Sequence, residues 1–153
     1  MNLQENIRRI LKEETKQINK SYTLYVDMGG VLFKKMGADE GGSGDRTDYI
    51  GAKLWNDIEK YNPTILSATG TADTKNKQNV KTAQVKKYLT PMPPIEFVTL
   101  GKDKAKFANK NSILIDDSQA NIDAWEGKYG KGIKYDPNDI QTTLVKLKRL
   151  YGY

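Results

Sequence analysis

The fold is decided by residues 22–33, Tyr22-Thr-Leu-Tyr-Val-Asp-Met-Gly-Gly-Val-Leu-Phe33. Tyr22 to Val26 is an apolar, aromatic and β-branched run, which predicts a buried strand. The run stops at Asp27, and two glycines follow. Glycine lets the backbone turn tightly and lets another atom approach closely. In an open α/β sheet the ligand crevice lies beyond the carboxyl ends of the strands. Asp27 is therefore expected in that crevice, although a carboxylate at a strand end also serves simply to start a turn.

On the N-terminal side, residues 3–20 predict a helix. Leu3, Ile7, Ile10, Leu11 and Ile18 fall near one face, which is expected to pack on the sheet; a partner-binding helix is the alternative. On the C-terminal side, Lys34 to Asp48 is polar and glycine-rich, with Gly41, Gly42 and Gly44 among Asp39, Glu40, Asp45 and Arg46. It reads as a flap or hairpin overhanging the crevice, too short to be a cap domain.

Further along, Tyr49 to Tyr61 predicts a helix stopped by Asn62-Pro63. Thr64 to Ser67 predicts a strand closed by Ser67-Ala68-Thr69-Gly70. Thr74 to Leu89 is a lysine-rich helix with Val80, Ala83 and Tyr88 inward, and Ile95 to Leu100 a third strand. Residues 101–108 form a short basic helix. Ser112 to Ile115 is a fourth strand, ending in Asp116-Asp117. A helix over Asn121 to Lys128 and a strand over Gly132 to Tyr135 follow. The last helix starts with Asp136 as N-cap and Pro137 in its first turn, and Ile140, Leu144, Leu147 and Tyr151 form its apolar stripe. Strands alternating with helices predict one α/β domain over residues 1–153. Its sheet is parallel and Rossmann-like, with helices on both faces in three layers and no large cap.

Composition narrows the chemistry. The 153 residues contain no cysteine and no histidine. Disulfides, thiolate metal sites, histidine-ligated zinc and Ser-His-Asp triads are excluded together. No apolar run approaches the length of a membrane span, and residues 1–20 lack the apolar core of a signal peptide, so a cytoplasmic location is expected, in a cell or an infected host. The net charge of +6 is carried mostly by lysine. It suits a phosphorylated partner, with nucleic acid one option and a merely solvated surface the other.

If the strands are parallel, one edge of the sheet carries Asp27, Ser67, the Lys102 to Lys106 group, Asp116 and Asp117. Three carboxylates at close range repel unless a cation lies between them. Oxygen ligands without sulfur or imidazole suit magnesium, which commonly binds one or two carboxylates together with substrate phosphate. Hydroxyls and backbone amides after the second strand are suited to phosphate oxygens, and an ordinary turn is the plain alternative there. A carboxylate aimed at phosphorus can act as a nucleophile.

The order of these residues resembles the haloacid dehalogenase superfamily of phosphotransferases. Asp27 is followed by Gly-Val-Leu, then come Ser67, a lysine and Ile113-Leu114-Ile115-Asp116-Asp117. The resemblance spans roughly Tyr22 to Tyr135. With Asn121-Ile122, Trp125, Gly130, Gly132 and Ile133, it is similar to the small nucleotidase-like and phage-encoded members. The resemblance implies a magnesium-dependent phosphatase with Asp27 as nucleophile and Ser67 bonded to the transferring phosphoryl group. It implies a lysine, Lys104 in preference to Lys106, joining Asp27 to the phosphate. Phosphate would be held by Gly30, Ser67, Ala68 and Lys104. Metal would be held by Asp27, the Gly29 carbonyl, Asp116 and Asp117.

The family usually carries a second Asp two residues after the nucleophile, where this chain has Gly29. The carbonyl is kept and the acid/base group is lost. Three readings follow: a phosphatase acting on nucleotides or nucleic-acid ends, an impaired phosphate- or nucleic-acid-binding protein of the same fold, and a structural protein whose acidic tips hold a stabilising cation.

Overall fold

The computed structural model describes residues 2–18, 21–34 and 48–152, with side chains for all of these except 11–18. Five strands form one all-parallel sheet: β1 (Thr23–Val26), β2 (Thr64–Ala68), β3 (Ile95–Val98), β4 (Ser112–Asp116) and β5 (Lys131–Lys134). Their order is β3-β2-β1-β4-β5. From β1 the chain moves to β2 and β3 on one side, then returns to β4 and β5 on the other. The connections thus diverge between β1 and β4, and a crevice opens beyond the carboxyl ends of those two strands. In register, Val26 lies beside Ile115, so the next residues, Asp27 and Asp116, stand together at that opening.

The sheet is covered on both faces, as expected. On one face lie α2 (Ala52–Ile58), α3 (Thr74–Tyr88) and α5 (Ile140–Tyr151). They bring Leu54, Trp55, Ile58, Val85, Leu147 and Tyr151 onto Leu24, Val26, Ile65, Ile113 and Ile115. On the other face lie a 3-10 segment, Gly101–Phe107, and α4 (Gln119–Glu126). There Ile122 and Trp125 pack on Leu66 and Leu114, with Tyr25 and Phe107 beside them. The Tyr25 ring meets Trp125 and Phe107 at 5.4 and 5.6 Å between centroids. β4 is buried along its whole length, as a central parallel strand with both faces covered must be.

Several boundaries differ from the sequence reading. Tyr49 does not begin a helix: it bridges Phe33 in antiparallel fashion, and the Lys34 N–H donates to Asp48 O at 3.0 Å. The expected flap over residues 34–48 is therefore closed at its base by its own ends, while residues 35–47 lie outside the described residues. In α3 the buried residue is Val85, not Ala83, which is exposed. α4 starts two residues early because the Ser118 hydroxyl caps the Asn121 N–H. Asp139, not Asp136, caps α5 by accepting from the Thr142 N–H, while Asp136 accepts from the Asn138 N–H in the preceding turn.

The N-terminal helix, α1 (Leu3–Ile18), forms where expected. Its apolar face is not laid on the sheet over its first half: Leu3, Ile7 and Ile10 are 74, 47 and 44% exposed. The sheet face is already filled by α2, α3 and α5.

Candidate functional site

Asp27 leaves β1 on the same alternation as Tyr25, toward the face of the 3-10 segment and α4. Its backbone N–H still donates to Ile115 O at 2.9 Å, which ties it to β4. Beyond it the chain makes a tight turn: the N–H groups of Val31, Leu32 and Phe33 reach Met28 O, and the Gly30 N–H donates to Phe33 O. Gly30 has φ +84, and a Cβ there would lie 2.3 Å from Asp117 Oδ2. Glycine is required at position 30 both by backbone conformation and by the closeness of Asp117. Gly30 was expected to bind phosphate. Its N–H is taken by Phe33 O, so what it supplies is room for a carboxylate. Gly29 differs: nothing lies within 4 Å of the place its Cβ would occupy.

The 3-10 segment explains which lysine reaches the crevice. At three residues per turn, positions i, i+3 and i+6 eclipse. Gly101, Lys104 and Phe107 therefore share the inner face. Phe107 packs on Tyr25, and Gly101 faces Asn121, whose Oδ1 would lie 2.4 Å from a Cβ at 101. Lys104, between them, is 2% exposed, whereas Lys102 and Lys106 are exposed. The segment starts with the Asp103 carboxylate accepting the Leu100 N–H at 3.0 Å.

Lys104 Nζ donates to Asp27 Oδ1 at 2.7 Å and to Asp116 Oδ2 at 2.8 Å. Asp116 is fully buried and also accepts from Asn121 Nδ2 at 3.1 Å and from the Ser118 N–H at 2.9 Å. Asp27, Asp116 and Asp117 each place a carboxylate oxygen within 4.8 Å of the others. Lys104 thus bridges two of the three carboxylates, with that of Asp117 close to both. Burial, opposed by Lys104 and reinforced by Asp116 and Asp117, pushes the Asp27 carboxyl up to about 7. Burial alone would lower the Lys104 ammonium, but Asp27 and Asp116 outweigh it and raise it above the usual lysine value.

The residues fit a divalent cation. All donors are oxygens, three carboxylates place an oxygen within 4.8 Å of one another, and Asp27 Oδ2 has no protein partner among the described residues. A hard ion such as magnesium suits this set.

Ser67 and Ala68 lie at the end of β2. The buried Ser67 Oγ accepts from Lys81 Nζ at 2.7 Å, and Ala68 O accepts from the same ammonium at 3.1 Å. Lys77, one turn earlier on α3, donates to Thr69 O. The expected cradle of free backbone amides is partly closed, because the Thr69 and Gly70 N–H groups go to Val98 O and Thr99 O of the neighbouring segment. Cations from α3 stand there instead.

Two contributors escaped the sequence reading as site residues. Asn121 was noted only as part of a resemblance, yet it orients Asp116; the signal was a polar residue in the first turn of the helix that follows the acidic pair. Lys81 was one of many lysines on a helix, and nothing local marked it.

The sequence matches no protein-family model and no curated protein. Among solved structures, the chain is similar to an uncharacterized protein from Corynebacterium glutamicum, whose crystal structure was determined at 1.44 Å. The TM-score is 0.50 at 20% sequence identity, over 86% of this chain and 96% of that one. The likeness concerns the fold: a parallel α/β sheet of the same general build.

Proposed function

We propose that the chain is a magnesium-dependent phosphomonoester hydrolase of the haloacid dehalogenase type, acting through an aspartyl-phosphate at Asp27 on a nucleotide or a nucleic-acid end. The observation that carries this reading is the Lys104 bridge. A single buried ammonium holds the strand-end carboxylates Asp27 and Asp116, with Asp117 beside them.

The chemistry follows from these residues. Lys104 fixes Oδ1 of Asp27 and leaves Oδ2 to attack phosphorus. A new P–O bond forms to Asp27 while the bond to the leaving oxygen breaks, and the leaving oxyanion takes a proton from water. Water then cleaves the acyl phosphate, releasing inorganic phosphate and regenerating the carboxylate. Asp27, Asp116, Asp117 and the Gly29 carbonyl would hold magnesium, which supplies charge neutralisation for the phosphoryl oxygens and for the clustered carboxylates. Lys104 and the Ser67 hydroxyl, the latter held by Lys81, would neutralise and orient the phosphoryl group.

A second reading is favoured by one feature. Position 29 carries no acid/base group, and general acid/base catalysis typically contributes about 10²- to 10⁴-fold. On that reading the chain binds phosphate and turns it over slowly or not at all. The space beside Gly29 admits a side chain, and its φ is not in the left-handed region, so Gly29→Asp tests the point without straining the turn. Phosphate release with magnesium is measured for wild type, Asp27→Asn and Gly29→Asp, with nucleoside monophosphates and phosphorylated oligonucleotides as substrates. Under the hydrolase reading wild type releases phosphate and Asp27→Asn does not. Under the binding reading only Gly29→Asp does. Equal release by wild type and Asp27→Asn removes Asp27 as nucleophile.

A further inference from the structure

At the other end of the sheet, away from the acidic cluster, α4 ends in an unusual turn. The Gly130 N–H donates to Trp125 O and the Tyr129 N–H to Glu126 O. This pair of bonds closes helices whose next residue is left-handed, and that residue is most often glycine. Here it is Tyr129, with φ +69 and a side chain 81% exposed. The chain thus holds an aromatic ring in water at a position where glycine would be relaxed.

The ring does not stand alone. Lys110, Lys131, Lys146 and Arg149 line a groove of about 670 Å³ with Tyr129 and Glu126. Three separate segments supply the cations: Lys110 precedes β4, Lys131 opens β5, and Lys146 and Arg149 sit three apart on one face of α5. Lys131 lies beside Ile113, at the start of β4, whereas Asp116 ends that strand. Among the described residues, none of the four cations forms an ion pair.

We propose that this groove binds single-stranded nucleic acid, with backbone phosphates on the four cations and an unpaired base stacked on Tyr129. Cations tracking a backbone beside an exposed ring are the elements of a single-strand platform. An acidic peptide would use the cations but would have no need of a ring held in a strained turn. A lipid surface is flat and asks for exposed apolar groups, whereas this feature is concave and Ile133 at its floor is buried. The inference stands whether or not the acidic cluster transfers phosphoryl groups.

The test is fluorescence anisotropy of labelled oligothymidylate and oligouridylate with the full chain in EDTA, titrated over salt. Four phosphate contacts predict a slope of about −3 for log affinity against log salt. Lys131→Glu with Arg149→Glu lowers affinity about tenfold or more at ~0.1 M salt and roughly halves the slope. Tyr129→Gly relaxes the turn, so its melting temperature is unchanged or higher, while affinity falls about fivefold or more. The inference is overturned if wild type does not bind, if either variant binds as wild type does, or if polyglutamate or phosphatidylserine vesicles compete as well as the oligonucleotide at equal charge.

Discussion

A single ammonium, Lys104 Nζ, stands between two buried carboxylates, and its removal would break the ion pair to both, leaving Asp116 only its bonds from Asn121 and the Ser118 N–H. Breaking a buried ion pair from one side typically costs about 3–5 kcal/mol. Lys104→Met is therefore expected to lose stability on that order in metal-free urea unfolding at pH 8. Lys106→Met, two residues on and exposed, is expected to stay within about 0.5 kcal/mol of wild type. Equal losses would mean that Lys104 is not the cation of the cluster. The sequence spacing left Lys104 and Lys106 open, because residues two apart separate cleanly only once the helix type is known. The 3-10 register separates them by aligning Lys104 with Gly101 and Phe107. Asn121 was hidden for a related reason: its use depends on Gly101 being bare, a relation between two segments that no local pattern records.

At the scale of elements, strand and helix order was legible because the first four strands are short apolar runs rich in β-branched or aromatic residues, and turn residues lie between them. Ends were less legible where tertiary pairing overrides local preference. Tyr49 suits a helix start, yet Phe33 and Tyr49 pair to close the base of the 34–48 segment. Asp136 and Asp139 are both plausible caps by composition, and only the Thr142 bond selects Asp139. For α1, amphipathic periodicity gave the helix but not its packing partner, since periodicity reports a face and not what covers it. With Leu3, Ile7 and Ile10 exposed, serine substitution of all three is expected to cost less than about 1 kcal/mol in urea unfolding. A buried face would lose several times that amount, because each fully buried side chain of this size is worth about 1.5–3 kcal/mol.

Across the whole molecule, topology concentrates charge. Parallel strands diverging between β1 and β4 bring to one opening three carboxylates that could hold a metal ion, and the stability of the protein is expected to depend on pH. Asp27 has a carboxyl pushed up to about 7 when folded, above its ordinary value of 3.8. Between those values the folded state holds the proton more tightly than the unfolded state. Stability from this group is thus full below about pH 4 and is lost as pH rises through about 7. Metal-free protein is expected to melt lower at pH 8 than at pH 5.5, and Asp27→Asn is expected to flatten that difference. Magnesium requires the ionised carboxylate, so it should raise the melting temperature more at pH 8 than at pH 5.5. A magnesium effect independent of pH would contradict the placement of the ion at Asp27. The proposed reaction passes through one covalent bond, between Asp27 and phosphorus, and that bond can be trapped. Protein mixed with magnesium and a nucleotide phosphomonoester is quenched in acid, reduced with borohydride and digested for mass spectrometry, which converts an aspartyl-phosphate into homoserine. Homoserine is expected at position 27, its yield raised by the slow release that a bare Gly29 implies; no homoserine, or homoserine at 116 or 117 instead, would rule out Asp27 as the nucleophile.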